Sequence, residues 1–140
     1  MTQDDLERIL ADHPTLCDFG FQSFIYNRRP SEEEFAEQLE EARAALRSHL
    51  DQCNVCLQWL NGVERLKAIT TKRTSYGLKH CVERNAGVYV TNGAFIVAGI
   101  FVGLKMKKCE PNVFFNVAEK SIRERRHIDP RNVAGYARPA

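Results

Sequence analysis

The side chains most suited to chemistry in this sequence are basic and lie in its second half: Lys72, Arg73, Lys79, Lys105, Lys107, Lys108, Arg123, Arg125 and Arg126. Lysine and arginine neutralise phosphates and release their counterions, which gives affinity for nucleic acid without reading its sequence. Lys105 and Lys107 alternate with Leu104 and Met106, so in a strand both lysines share the solvent face. The charge is unevenly placed. Residues 1–66 hold 13 Asp/Glu against 6 Lys/Arg, and residues 67–140 hold 5 against 14, or −7 beside +9. A basic half suits a phosphate backbone or an acidic protein surface; the two halves can equally attract each other.

Thiol chemistry is the second possibility. Cys53 and Cys56 form a C-x-x-C pair, with Cys81 and Cys109 further on and His49 and His80 nearby in sequence. Four thiolates can hold a structural zinc ion. The first pair falls in mid-helix, however, no second C-x-x-C follows, and Cys53 sits on an apolar stripe where it reads as a small core residue. No metal and no cofactor are expected. A redox pair expects a helix start after a strand, which is missing here. His80 adjoins Cys81, but neighbours on a helix point about 100° apart and do not face each other. The basic half has only Glu83, Glu110, Glu119, Glu124 and Asp129 as acids, with no phosphate loop and no H-E-x-x-H. The expectation is a binding protein and not an enzyme.

These side chains need elements to position them. Asp4–Ala11 reads as a short amphipathic helix burying Leu6, Ile9 and Leu10, ended by Pro14. Residues 19–26 are aromatic and β-prone, and 27–30 read as a turn. Ser31 with Glu34 makes a capping box, and Glu32, Glu33 and Glu34 suit the positive end of a helix dipole. Apolar residues then recur at Phe35, Leu39, Ala42, Leu46, Leu50, Cys53, Leu57 and Leu60, close to a heptad seam. That pattern predicts one helix over 31–61, stopped at Asn61-Gly62. At about 1.5 Å per residue it spans about 45 Å, long enough to cross the fold or to pair two copies into a homodimer. Its exposed acids, Glu32 through Glu41, could also dock a basic partner. One or two further helical turns are expected over 63–69.

The second half predicts a compact unit. Thr74 or Ser75 caps a helix to about Asn85, with Gly87 as its C′ residue. Thr91 or Asn92 caps a second helix over 93–102, closed by Gly103. Strands over 104–109 and 113–117 flank a turn at 110–112, and a basic helix covers 118–127. Helix, turn, helix, hairpin is the order of a winged helix-turn-helix. The second helix, normally the one that reads bases, has no polar residue after Asn92 and must be buried on nearly all sides.

The segments Thr74-Ser-Tyr-Gly-Leu-Lys-His80, Tyr89-Val-Thr-Asn-Gly-Ala-Phe-Ile96 and Pro111-Asn-Val-Phe-Phe-Asn116 resemble a group of small uncharacterised bacterial proteins carried on plasmids, integrative elements and phages. The resemblance covers roughly residues 57–125. It implies a mobile-element setting, in which small accessory proteins are often regulators or inhibitors of host defence, and it implies no mechanism. The polar members of these segments, Tyr76, Lys79, His80, Tyr89, Thr91, Asn92, Asn112 and Asn116, are expected to gather around the inter-helix turn and the hairpin base.

The expected fold is α+β and mostly helical, a long helix packed on a winged-helix-like unit. It forms a single domain over 1–140, with an acidic helical half (1–66), a basic half (67–128) and a tail (129–140). The longest apolar stretch, Gly93 to Leu104, is 12 residues. A membrane span needs about 20, so no membrane partner is expected. An odd cysteine count without a secretory signal suggests reduced thiols in the cytoplasm. The leading expectation for the partner is nucleic acid; the alternative is a host or defence protein that this chain inhibits.

Overall fold

The computed structural model describes residues 1–22, 30–124 and 126–133. The chain is α+β and mostly helical, with two small antiparallel hairpins. In chain order, α1 (Gln3–Asp12) leads into the first hairpin, β1 (Leu16–Cys17) with β2 (Gly20–Phe21). Then come α2 (Glu32–Arg47), α3 (Leu50–Leu60), α4 (Ser75–Ala86) and α5 (Asn92–Phe101). The second hairpin is β3 (Met106–Cys109) with β4 (Asn112–Phe115), followed by α6 (Glu119–Arg123) and one 3-10 turn at Pro130–Asn132. Residues 23–29, which make up half of the aromatic stretch 19–26 and most of the turn 27–30, lie outside the described residues, as do Arg125 and 134–140. No helix among the described residues is long and apolar enough to cross a membrane.

Helix α5 is the centre of the molecule. Every residue from Asn92 to Gly99 is buried. It packs most extensively against α3 and also touches α4, α1, β2 and β4. Trp59 and Phe95 meet edge to face at 6.0 Å between ring centroids, and Phe95 meets Phe115 at 5.9 Å. Each such buried ring contributes about 1.5–3 kcal/mol through removal from water. Close approach sets the packing: a Cβ on Gly93 would lie 2.0 Å from the Cys17 carbonyl oxygen, and one on Gly99 2.4 Å from the Phe115 ring. The expectation of a second helix buried on nearly all sides therefore holds over 92–99, while Phe101 at its end is exposed; its caps are Thr91 at the start and Val102 at the end.

The predicted single helix over 31–61 is two helices. Ser48 Oγ donates back to the Ala45 carbonyl at 2.6 Å, and the His49 ring is held 2.9 Å from Asp18. His49 leaves helical geometry at φ −107, ψ 33. Side-chain competition with the helix ladder bends or breaks helices in this way. The apolar stripe faces the chain's own core: Leu46, Cys53 and Leu60 are buried in it, with Leu50 and Leu57 packed alongside.

Two more expectations change. Residues 63–69 are not helical, and 64–66 pair as an extended segment before a bend at 67–68: Arg65 bridges Val117, Leu66 N donates to the Asn116 carbonyl, and Ala118 N to that of Glu64. The basic helix over 118–127 is only α6, because the chain then extends across the end of α4. There Arg126 N donates to Asn85 Oδ1 at 2.7 Å and Ile128 N to the Asn85 carbonyl at 3.0 Å. At the other end of the molecule, buried Arg43 ties α2 to the end of α1. Its guanidinium donates to the carbonyls of Leu10, His13, Pro14 and Leu16 at 2.7–2.9 Å.

Candidate functional site

The predicted basic residues do not form one patch. Three of them, with one more arginine, surround a cleft of about 670 Å³ lined by Arg73, Arg84, Asn85, Ile122, Arg123, Glu124, Arg126 and His127. Each wall has a local cause. Arg73 precedes Thr74, whose hydroxyl caps α4 by accepting from Gly77 N. Arg84 and Asn85 end the same helix, which Gly87 closes at φ 68, a conformation glycine adopts without strain. Arg123 ends α6, and Arg126 lies on the extended strap that follows.

The four arginines are held differently. Arg73 is fixed by Glu119, with Nε 2.9 and 3.1 Å from its oxygens and Nη2 at 2.7 Å. The hydrogen bond to Arg73 holds the Glu119 carboxyl below its ordinary value, helped by Arg123 and Lys72. Arg84 donates to Cys81 Sγ at 3.1 Å, and Arg73 reaches the same sulfur at 3.6 Å. Arg123 is largely exposed, 4.0 Å from Glu119. Arg126 lies over Trp59, 5.2 Å from the ring. Its Nε and Nη2 are buried with no hydrogen-bond partner among the described residues. Burial pushes its pKa down from the ordinary arginine value. A guanidinium presents a planar fork of donors that matches a phosphate or carboxylate, so this cleft can hold an oxyanion.

The other predicted residues lie elsewhere. Lys72 is exposed and close enough to Glu119 to act on it electrostatically. Lys105, Lys107 and Lys108 are exposed on or beside β3, as the alternation predicts for Lys105 and Lys107. They diverge: Lys105 Nζ donates to the Lys67 carbonyl, and Lys108 Nζ lies 4.3 Å over the Phe21 ring. Lys79 does not face solvent. It is 3% exposed, bonded to Glu83 at 3.0 Å, and is replaced in the basic face by Arg84. Arg125 lies outside the described residues. Arg84 went unrecognised in the sequence although a signal existed. It stands near the C-terminus of the helix that Thr74 opens, where a basic side chain suits the negative end of the helix dipole.

Cys53, Cys56 and Cys81 are buried and Cys109 is exposed, and among the described residues no three His, Cys, Asp or Glu side chains converge on a metal position. The segments singled out as Ser-Tyr-Gly-Leu-Lys-His, Tyr-Val-Thr-Asn and Pro-Asn do meet. Tyr76, Lys79, Tyr89, Asn92 and Asn112 line one groove with Asp18, Phe19 and Pro111. Asn116 is not among them; it holds the 63–69 segment by donating to the Leu66 carbonyl and accepting from Lys105 N.

No family model, curated protein or solved structure matches the chain.

Proposed function

We propose that this protein is a cytoplasmic, non-enzymatic accessory protein that grips a nucleic-acid backbone in the arginine-lined cleft. The observation that carries this reading is the convergence of four arginines on one cleft. Arg73, Arg84, Arg123 and Arg126 line the same space, and the Arg126 guanidinium lies over Trp59 with Nε and Nη2 unpartnered among the described residues. A guanidinium presents a planar fork of donors to phosphate oxygens, so the arginines open to the cleft offer charge-assisted hydrogen bonds to a backbone. Lys72 extends the positive field beside the cleft, and Lys105 and Lys107 offer further phosphate contacts from the hairpin. With 92–99 of α5 buried in the core, binding follows backbone charge and shape and not base edges. A mobile-element setting and a regulatory role come from the resemblance of the 74–80, 89–96 and 111–116 segments alone.

The test is anisotropy of labelled random duplex DNA at low and physiological salt. The reading expects affinity that falls steeply with salt and is lost in an Arg84→Glu, Arg123→Glu variant. No binding at low salt sinks it.

A second reading has its own observation. Glu32, Glu33, Glu34, Glu37, Glu40 and Glu41 are all exposed on α2. Such a face suits a basic region of a host or defence protein, which the chain would then block. This reading expects no DNA affinity and a stoichiometric complex with one protein, broken by Glu37→Lys with Glu41→Lys.

A further inference from the structure

On a different side of α4 from the arginine cleft, three large aromatic side chains are left in solvent. Tyr76 is 51% exposed, Tyr89 65% and Phe19 68%. They rim the groove of about 280 Å³ whose other lining includes Lys79, Asn92 and Asp18. Four separate connections supply these residues: the start of α4, the α4–α5 turn, the β1–β2 turn and the β3–β4 turn. Scattered exposed aromatics need no explanation, but several around one concavity indicate a binding site.

The tyrosines are held in place from behind. Lys79 Nζ lies 5.2 Å from the Tyr76 ring centroid and 4.6 Å from that of Tyr89. A desolvated ammonium attracts aromatic faces, and Glu83 balances its charge at 3.0 Å. The His80 ring meets Tyr76 edge-on at 4.6 Å. Both rings are therefore restrained without being covered, as a stacking platform requires.

The floor carries an unused acceptor. Asn92 is 5% exposed and its Nδ2 donates to the Phe19 carbonyl and to Asn112 Oδ1, both at 2.9 Å. The Phe19 carbonyl can only accept, so the amide orientation is fixed. Its Oδ1 is buried with no donor among the described residues. Asp18 also lines the groove, and its carboxylate is held 2.9 Å from the His49 ring nitrogen. The exposed rings around this groove thus ask for a flat ring that stacks on them.

We propose that this groove is a nucleobase site, in which an unpaired base stacks on the exposed tyrosine rings. A base combines a π-face with N–H groups at its edge, and a volume of about 280 Å³ admits one such ring system. Lys79 and His80 are positioning residues, acting through the rings. The inference does not rest on the arginine cleft, which shares no lining residue with this groove.

The experiment titrates the four ribonucleosides, which carry no phosphate for the arginines, and follows tyrosine fluorescence and heat. Saturable one-to-one binding is expected for at least one of them. It should weaken at least tenfold, about 1.4 kcal/mol, in Tyr76→Ala and in Tyr89→Ala. Both positions are exposed, so unchanged melting temperatures should certify the fold. Arg84→Glu with Arg123→Glu should leave nucleoside binding unchanged, which separates this site from the backbone cleft. If the natural occupant is a base within a strand, a single-stranded hexanucleotide binds at least tenfold more tightly than any nucleoside. If it is a free nucleotide, no such gain appears. The proposal is overturned by no nucleoside binding, or by binding that survives the double tyrosine variant. It is also overturned if N-acetyltyrosinamide binds as tightly as the nucleosides, which would assign the groove to an aromatic side chain of a protein.

Discussion

Arg73 and Glu119 stand 46 residues apart in sequence and meet through three contacts of 2.7–3.1 Å. The pair joins the residue just before α4 to the first turn of α6, and so sets one wall of the arginine cleft. It also neutralises part of that wall. Stability and binding are therefore opposed at this one contact.

Replacing Glu119 by Gln should release that opposition. Duplex DNA affinity is expected to rise at low salt, with a logarithmic salt slope steeper by about one unit, and Arg73→Ala should move both the other way. Anisotropy at several salt concentrations reads this directly. An unchanged slope in both variants would mean that Arg73 serves the fold alone.

The same pair predicts an acid dependence. The folded Glu119 carboxyl is held below its ordinary value, chiefly by the Arg73 hydrogen bond. Below the unfolded value of about 4.3 the unfolded chain takes up this proton more readily than the folded one. Its contribution to stability is therefore complete above that pH and is lost as the pH falls through the depressed folded value. Melting temperatures between pH 6 and pH 3 should fall more steeply for the native chain than for Glu119→Gln. Parallel curves would show that the pair contributes nothing to the acid limb.

Arg43 is the buried cation expected to matter most for stability. Four backbone carbonyls converge on it, from Leu10 to Leu16, where α1 ends and the first hairpin begins. Arg43→Met leaves those acceptors without their donor and should cost about 3–5 kcal/mol in urea unfolding. Arg43→Lys should restore only part, because three rotatable protons on one nitrogen cannot reproduce the guanidinium fork. A loss below about 1 kcal/mol would show that solvent replaces these contacts.

Thiol reactivity should separate the cysteines sharply. Cys17, Cys53, Cys56 and Cys81 are buried and Cys109 is exposed. Burial pushes the Cys53 thiol up to about 12 and raises Cys17 and Cys56 as well. Only the thiolate reacts, so a disulfide reagent at pH 8 should modify one thiol rapidly in the native chain and all five after denaturation. Cys109→Ser should abolish the fast phase. A second fast thiol would show that the core around α3 opens readily.

Local signals fixed much of the secondary structure. The acidic start capped by Ser31, the Thr74 and Thr91 caps, Gly87 after α4 and the alternation at Leu104–Lys107 are all short-range, and the elements follow them. The continuously apolar run 93–102 required burial on nearly all sides, and 93–99 are buried while Phe101 is exposed. What failed was set at long range. The break at His49 depends on Asp18, 31 residues away, and the extended path of 64–66 depends on Asn116 and Val117. A seam of apolar residues cannot say whether it meets a partner chain or its own core, since burial rewards both equally.

The site followed the same division. Sequence alone determined that the second half is basic and that its second helix cannot read bases, because composition and periodicity are properties of the chain itself. Only the tertiary structure decided which charges act together. It turned Lys79 inward against Glu83 and two tyrosines, brought Arg84 beside Arg73, and left Nε and Nη2 of Arg126 without a partner among the described residues. A side chain's charge is written in the sequence, but its exposure and partners depend on residues tens of positions away, and those are chosen by packing.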